Sequence, residues 1–533
     1  MAVAGCAHGN LPYMTTTLLG TSFIGNSRSS GTETCGNGIQ PGTGAVLEPA
    51  YMAATPDEVE NALSLAAAAF PVYSQLPGKT RAVFLRAIAD GIEAVVEDIV
   101  ERGQLETALP EPRLRGETGR TVGQLRMFAK QIEEGSWVDA RIDRAQPDRK
   151  PLPKADHRAM LCPLGPVAVF CASNFPLAYS VAGGDTASAL AAGCPVVVVA
   201  HSSHPGVAEI VANAVIAAAQ ANGMPEGVFS VLYGGGRKVG QAVVKHPVIQ
   251  AVGFTGSRAG GTALMATANA RPQPIPVYAE MSSVNPVVIL PSALARGEEA
   301  LAEAFFGSLT LGVGQFCTNP GLVFLPVNTG EVFLAKLKSL IEAGSPGMML
   351  NAGICKAFAD ATSSFATAPG VATLARSTTE AGSGQGAPMA FIVSVADFLK
   401  SEVLQGEMFG PATLIVRGSL EEIEAAIPHL EGQLTASIHS TVEELAAHPG
   451  LVPALQNRSG RLIFNGFPTG VEVCDSIVHG GPFPATSDGR STSVGTMAIF
   501  RFCRPVTWQN FPEAALPAEL QDANPLGIKR MES

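Results

Sequence analysis

The 533-residue sequence predicts an α/β fold with two doubly wound units and a separate β extension, and three observations carry that prediction. Residues 166–170 and 195–199 are short, wholly apolar, Val-rich runs, as expected of parallel strands buried on both faces. They alternate with stretches of helical composition at 181–192, 207–222 and 239–245, and further strands are expected at 228–232 and 249–254. A second set starts after Glu280, with apolar runs at 286–290, 322–325 and 413–416. Such alternation implies right-handed βαβ units that cover each sheet with helices.

Taken in order, residues 1–50 are rich in Gly, Ser and Thr, with short strand-like pieces such as Ser22-Phe23-Ile24. Thr55-Pro56-Asp57-Glu58 reads as an N-cap, a proline at the first helical position and an acidic first turn. Apolar positions then recur at helical spacing through Val59, Leu63 and residues 66–70. Amphipathic helices are expected over 79–97 and 119–134, and residues 370–388, rich in small polar residues, as surface loops. Two segments fit neither α/β unit: the polar, proline-rich 136–160 and the tail 492–533. Each reads as a loop or as an extension packed on another subunit, and the extension is preferred because pairing across a two-fold axis removes an exposed strand edge. The chain thus divides into 1–135 with 161–279, then 280–491, then the extension.

Composition narrows the class. A net charge of −11 and a pI near 5.4, with no basic patch, argue against a nucleic-acid partner. Mean hydropathy is +0.23, yet the longest apolar stretch, 181–200, is interrupted by Asp185, three glycines and Pro195. It falls short of the roughly 18 apolar residues a spanning helix needs, so no membrane association is expected. The first Lys or Arg is Arg28, so a secretory leader is not expected, and the reading is a soluble, cytoplasmic chain. Nine cysteines (Cys6, Cys35, Cys162, Cys171, Cys194, Cys317, Cys355, Cys474 and Cys503) show no CxxC pair, and nine histidines show no ligand spacing. Reduced thiols and no metal site are expected.

The segment Gly312-Val313-Gly314-Gln315-Phe316-Cys317-Thr318-Asn319-Pro320-Gly321 sets one cysteine among glycines, where little bulk blocks its sulfur. That suits a nucleophile forming a covalent intermediate; a small buried thiol is the plain alternative. Four more motifs accompany it: Ala172-Ser173-Asn174-Phe175-Pro176, Gly253-Phe254-Thr255-Gly256-Ser257, Ala279-Glu280-Met281-Ser282 and Glu407-Met408-Phe409-Gly410-Pro411. In this order and spacing the chain resembles the NAD(P)-dependent aldehyde dehydrogenase superfamily from about residue 20 to the carboxyl terminus.

The resemblance implies roles. Cys317 would attack the aldehyde, with Asn174 and the Cys317 backbone N–H as oxyanion donors. Glu280 would activate the water that hydrolyses the thioester. It favours hydrolysis over acyl transfer to coenzyme A, because enzymes of the latter kind commonly lack it. Residues 1–135 and 161–279 would bind cofactor and 280–491 would carry the nucleophile. Ser173, Phe175, His201, Ser202, Thr255, Gly256, Ser257, Glu407 and Phe409 would line the cofactor site, Glu407 holding the nicotinamide ribose. Gly253 and Gly256 do not form GxGxxG, in keeping with this family. Where the family carries a lysine after the strand at 195–198, this chain has Val199.

Finer features resemble a bacterial subgroup of NADP-dependent fatty aldehyde and α-ketoglutaric semialdehyde (2,5-dioxovalerate) dehydrogenases. They are residues 201–206, 256–261 and 479–486, and the tail Arg504-Pro505-Val506-Thr507-Trp508-Gln509-Asn510-Phe511-Pro512. His479 matches a histidine near the cysteine there, and is otherwise a loop residue. Arg237 and Ser202 match positions that hold an adenosine 2′-phosphate, so NADP is expected, with NAD possible. The implied reaction is oxidation of 2,5-dioxopentanoate to 2-oxoglutarate by a homodimer or homotetramer. A general or long-chain aldehyde dehydrogenase and a catalytically silent binding protein are the alternatives, the latter raised by Val199.

Overall fold

Alternate residues of each central strand enter opposite cores, which is why those strands read as unbroken apolar runs. The computed structural model describes residues 17–533; Cys6 and the start of the first unit lie outside the described residues. In the first sheet, Val167, Val169, Val196, Val198 and Val231 pack into one core, and Ala168, Phe170, Val197, Val199 and Leu232 into another. Each fully buried valine contributes about 1.5–3 kcal/mol, so both faces drive the sheet's formation.

That sheet has seven strands, ordered Val277–Glu280, Ala251–Thr255, Val167–Phe170, Val196–Val199, Phe229–Leu232, Phe23–Ile24 and Ser27–Arg28. The first five are parallel, and the last two join antiparallel at the edge. Thr55 caps the helix Pro56–Tyr73 in a reciprocal capping box with Glu58. Helices Gly184–Ala192 and Pro205–Ala221 complete the βαβ crossovers.

The second sheet runs Ala372–Arg376, Met389–Ser394, Ala412–Gly418, Leu322–Pro326, Val287–Ile289, Gln433–His439 and Ser459–Phe464, parallel except for its first edge strand. Val288, Phe324, Leu414 and Val416 face one core; Val287, Val323, Leu325 and Ile415 face the other. Four of these strands escaped the sequence reading. Gln433–His439 is polar in composition yet buried throughout, because Gln433 Oε1 accepts from the N–H groups of Val284 and Asn285 at 2.8 and 3.2 Å. The expected loop at 370–388 contains the edge strand Ala372–Arg376, half exposed and so weakly patterned.

Helix boundaries shift where polar spacing misleads. The helix expected at 79–97 is two helices, Gly78–Ala94 and Val96–Thr107. The one expected at 119–134 begins at Glu111, behind Pro110. Gly116, Gly119 and Gly123 blurred its apolar stripe.

The remaining segments build a four-stranded sheet, Cys503–Gln509, His157–Pro163, Arg141–Asp143 and Met531–Glu532. Seven antiparallel pairs join Cys503–Gln509 to His157–Pro163. Before the tail reaches this sheet it serves the main body: Ala498, Ile499 and Phe502 lie in the first core, and Arg501 pairs with buried Asp185 at 2.6 Å.

Candidate active site

The segment bearing Cys317 is a tight, left-handed turn between the helix Glu298–Thr310 and the strand Leu322–Pro326. Gly312, Val313 and Gly314 have φ of 56°, 57° and 65°. At Gly314 a Cβ would come within 2.3 Å of the Gly410 carbonyl, so only glycine lets this turn lie against the segment 407–411. Asn319 Nδ2 donates to Gly410 O at 3.1 Å and joins the same two segments. Asn285 Nδ2 donates to the carbonyls of Cys317 and Asn319, each at 2.8 Å, and fixes the cysteine from below.

Glu280 ends the strand Val277–Glu280, paired in register with Thr255. Its carboxylate, Cys317 Sγ and a ring nitrogen of His479 lie within 4.8 Å of one another, the one such cluster among the described residues. His479 Nε2 is 3.5 Å from Cys317 Sγ and 2.9 Å from Glu280 Oε1. Glu280 Oε1 makes no aligned hydrogen bond, so that second contact is a close approach of ring and carboxylate. Ser493 Oγ donates to Glu280 Oε2 at 2.6 Å.

Electrostatics divide the two groups. Burial, then the Glu280 charge, pushes the Cys317 thiol well above its ordinary value. Burial also acts upward on Glu280, but the His479 ring and the contacts with Ser493 and Cys317 outweigh it and hold the carboxyl below its ordinary value. At neutral pH the pair is therefore a protonated thiol beside an ionised acceptor. Such a pair suits a nucleophile that loses its proton as it attacks.

Around the thiol, Phe175 meets Phe316 and Tyr179 edge-on, at centroid distances of 5.7 and 5.2 Å. Asn174 is buried and donates from Nδ2 to Gln315 O at 3.1 Å. An amide has a second N–H, which stays available for an oxyanion. Ser493, Arg120, Tyr179 and Asn285 were not anticipated. Each is an unremarkable residue in its local sequence and joins the site only through the fold.

A model of the aldehyde dehydrogenase family matches residues 28–448. The chain belongs to the aldehyde dehydrogenase family. It is 49% identical over 518 residues to α-ketoglutaric semialdehyde dehydrogenase 2 of Azospirillum brasilense, covering 96% of this chain and 98% of that one. Among solved structures it resembles betaine aldehyde dehydrogenase from Staphylococcus aureus in complex with NAD+, at TM-score 0.79 and 18% identity, covering 92% and 95% of the two chains. It also resembles NADP-dependent glyceraldehyde-3-phosphate dehydrogenase from Bacillus halodurans complexed with NADP, at TM-score 0.78 and 21% identity, covering 92% and 99%. These two likenesses establish the fold.

As a member of this family the dehydrogenase uses NAD or NADP, and its residues fit such a cofactor. A cavity of about 220 Å³ opens at the carboxyl ends of Val196–Val199 and Phe229–Leu232, lined by Ser202, Pro205, Tyr233 and Gly234. Crevices at strand carboxyl ends are where dinucleotides bind in α/β sheets. At the carboxyl end of Ala251–Thr255, the buried Thr255 Oγ1 lacks a partner among the described residues. Ser257 caps the helix Arg258–Asn269, accepting from Gly260 N, and Gly256 stands just before that helix's amino terminus.

Ser173 is half-buried beside Asn174. His201 stacks on His204 with centroids 5.6 Å apart; burial, then His204, pushes the His201 ring down to about 3, so it is neutral. Glu407, Phe409 and Phe316 line a narrow crevice, and burial pushes the Glu407 carboxyl up to about 8 against weaker pulls from Ser282 and Ser283. Arg237 is exposed on the turn Gly235–Gly240 and joins no ion pair among the described residues. Val199 is buried in the core between Phe170 and Leu232. Among the described residues no helix is long and apolar enough to cross a membrane.

Proposed function

We propose that this dehydrogenase oxidises 2,5-dioxopentanoate to 2-oxoglutarate through a thioester on Cys317. The observation that carries the chemistry is the cluster of Cys317 Sγ, the Glu280 carboxylate and His479 within 4.8 Å of one another. The near-full-length similarity to the Azospirillum brasilense semialdehyde enzyme supports the substrate.

Cys317 Sγ adds to the aldehyde carbon as its proton passes to Glu280. The oxyanion that forms is met by the second N–H of Asn174 and by the Cys317 backbone N–H. A bound NAD(P) would supply the hydride acceptor, and loss of hydride from the adduct leaves a thioester on Cys317. Once Glu280 has released the thiol proton to solvent, it takes a proton from water, which attacks the thioester carbonyl. Collapse of that adduct releases the acid and expels the Cys317 sulfur, which takes that proton from Glu280 and is restored as the thiol. His479, between sulfur and carboxylate, shares the proton load, and Ser493 keeps the carboxylate aimed at the thiol.

In this reading residues 1–135 and 161–279 hold the cofactor and 280–491 carry the nucleophile. Ser202 would meet the adenosine, the backbone from Gly256 to Gly260 the pyrophosphate, and Glu407 with Phe409 the nicotinamide ribose. Ser173, Phe175, His201 and Thr255 would line the path between them. NADP is favoured over NAD because Ser202 and Arg237 would answer the 2′-phosphate. The sheet built from 136–163 and 503–532 would join subunits in at least a dimer, since its Cys503–Gln509 edge is unpaired among the described residues.

Val199 favours a second reading, a catalytically silent binding protein, because it puts an apolar side chain where the family has a lysine. Absorbance of NAD(P)H with 2,5-dioxopentanoate, pentanal and decanal tests both. Turnover fastest with the dioxo acid supports the main reading. Preference for decanal marks a long-chain enzyme, and no turnover with any aldehyde marks the silent one.

A further inference from the structure

Two arginines beside the thiol pocket have no carboxylate to balance them. Arg120, in the helix Glu111–Glu134, donates to Val471 O at 3.1 Å and to the Tyr179 hydroxyl at 3.4 Å. Arg461, in the strand Ser459–Phe464, donates to Pro468 O at 2.7 Å and Gly470 O at 3.1 Å. Both therefore grip neighbouring carbonyls of one loop. Both leave a buried Nε without a partner, and neither joins an ion pair among the described residues. Their neighbour Arg113, by contrast, is answered by Glu117 at 3.4 Å.

Carbonyl dipoles satisfy individual N–H groups but leave two positive charges uncompensated. Both guanidinium groups are half-buried, and holding such a charge without a counter-ion carries a cost that an incoming anion reduces. The chain carries a net charge of −11, so the pairing of two unanswered cations here is a local feature of the pocket.

The pair is electrically coupled to the nucleophile. After burial and Glu280, which raise the Cys317 thiol, Arg120 acts on it in the opposite sense. Arg461 is lowered by burial, and a charge on Cys317 would act against that. Space lies beside Arg120. A cleft of about 1080 Å³ is lined there by Gly116, Arg120, Gly123 and Val471, and also by Lys130, Glu134, Glu472 and Asp475. Gly116 and Gly123 flank Arg120 on one helix face, and a Cβ at either would meet nothing within 4 Å. Glycines inside a helix cost about 0.5–1 kcal/mol each against alanine, and here they open the wall next to the guanidinium.

We propose that Arg120 and Arg461 form the carboxylate subsite of the substrate pocket, binding the anionic end of a short aldehyde acid whose carbonyl carbon lies at Cys317. This rests on the reading above and adds to it the residues that select an anionic aldehyde.

The test measures kcat/KM of the holoenzyme for 2,5-dioxopentanoate and for pentanal in Arg120→Gln, Arg461→Gln and the corresponding lysine variants. Loss of a charged hydrogen bond is worth roughly a tenfold to hundredfold fall for the dioxo acid, mainly in KM. Pentanal should change by no more than a few-fold, and lysine should restore part of the loss. Because both arginines also brace the loop, a second readout avoids turnover. The rate of Cys317 alkylation by iodoacetate relative to iodoacetamide, read by mass spectrometry, should drop in the glutamine variants. Equal losses for both aldehydes with an unchanged alkylation ratio overturn the subsite and leave the arginines as loop braces. A wild type that does not prefer the dioxo acid overturns the substrate reading, and the alkylation ratio then decides the subsite alone.

Discussion

Ser493 Oγ donates to Glu280 Oε2 at 2.6 Å, while the other carboxylate oxygen lies 2.9 Å from His479 Nε2. The carboxylate is thus held from both sides, with Cys317 Sγ in reach. The Ser493 backbone N–H donates to His479 O at 2.9 Å, so this one residue ties the acceptor to the histidine segment.

Ser493→Ala should therefore lower kcat by roughly tenfold or more, since a hydrogen bond to a charged group is worth about 1.5–3 kcal/mol. KM should hold within a few-fold. Stopped-flow measurement should show the thioester building up before hydrolysis. A kcat unchanged from wild type would contradict the positioning role.

Cys317→Ala should abolish oxidation while leaving cofactor binding intact. Cys171 and Cys194 are buried in the fold, and none of the other described cysteines stands with Glu280 and His479. Turnover above a few per cent of wild type would remove Cys317 as the nucleophile.

Glu280→Gln should separate acid–base work from electrostatics. Burial and the Glu280 charge both raise the thiol, so removing the charge lowers the thiol's titration point and increases the thiolate fraction at pH 8. Alkylation of Cys317 by iodoacetamide should then quicken several-fold while steady-state oxidation slows and acyl-enzyme accumulates. Slower alkylation would show that the carboxylate acts on the thiol mainly as a proton acceptor.

Gly314→Ala places a Cβ against the Gly410 carbonyl at a φ of 65°. A non-glycine residue in that region costs about 1–3 kcal/mol before any clash. Melting should fall by several degrees, and activity should fall further because the turn carries the nucleophile. A variant with wild-type melting and rate would show that the turn yields freely.

Arg237→Ala should cut kcat/KM for NADP by roughly tenfold and leave NAD unchanged if the guanidinium meets the 2′-phosphate. Equal losses for both cofactors would refute that contact. Light scattering of the purified chain tests the oligomer: a mass of 54.9 kDa at micromolar concentration would exclude subunit pairing through the extension.

Much of this protein is legible in its sequence because two kinds of signal are local. The runs at 166–170, 195–199 and 286–290 are apolar at every position because strands buried on both faces admit little else. Thr55 with Glu58 announces a helix start because capping acts over three residues. The motifs around Asn174, Glu280 and Cys317 are likewise contiguous, and they were enough to indicate the family. Only the tertiary structure decided what depends on distant partners. Gln433–His439 is an interior strand despite its polar residues, because Gln433 is answered by the backbone near Asn285. Ser493 lies 213 residues from Glu280 in sequence, and Arg120 and Arg461 converge on one loop from a helix and a strand far apart in the chain. No periodicity or propensity records such meetings, because they arise from how whole sheets and helices pack and not from the residues on either side.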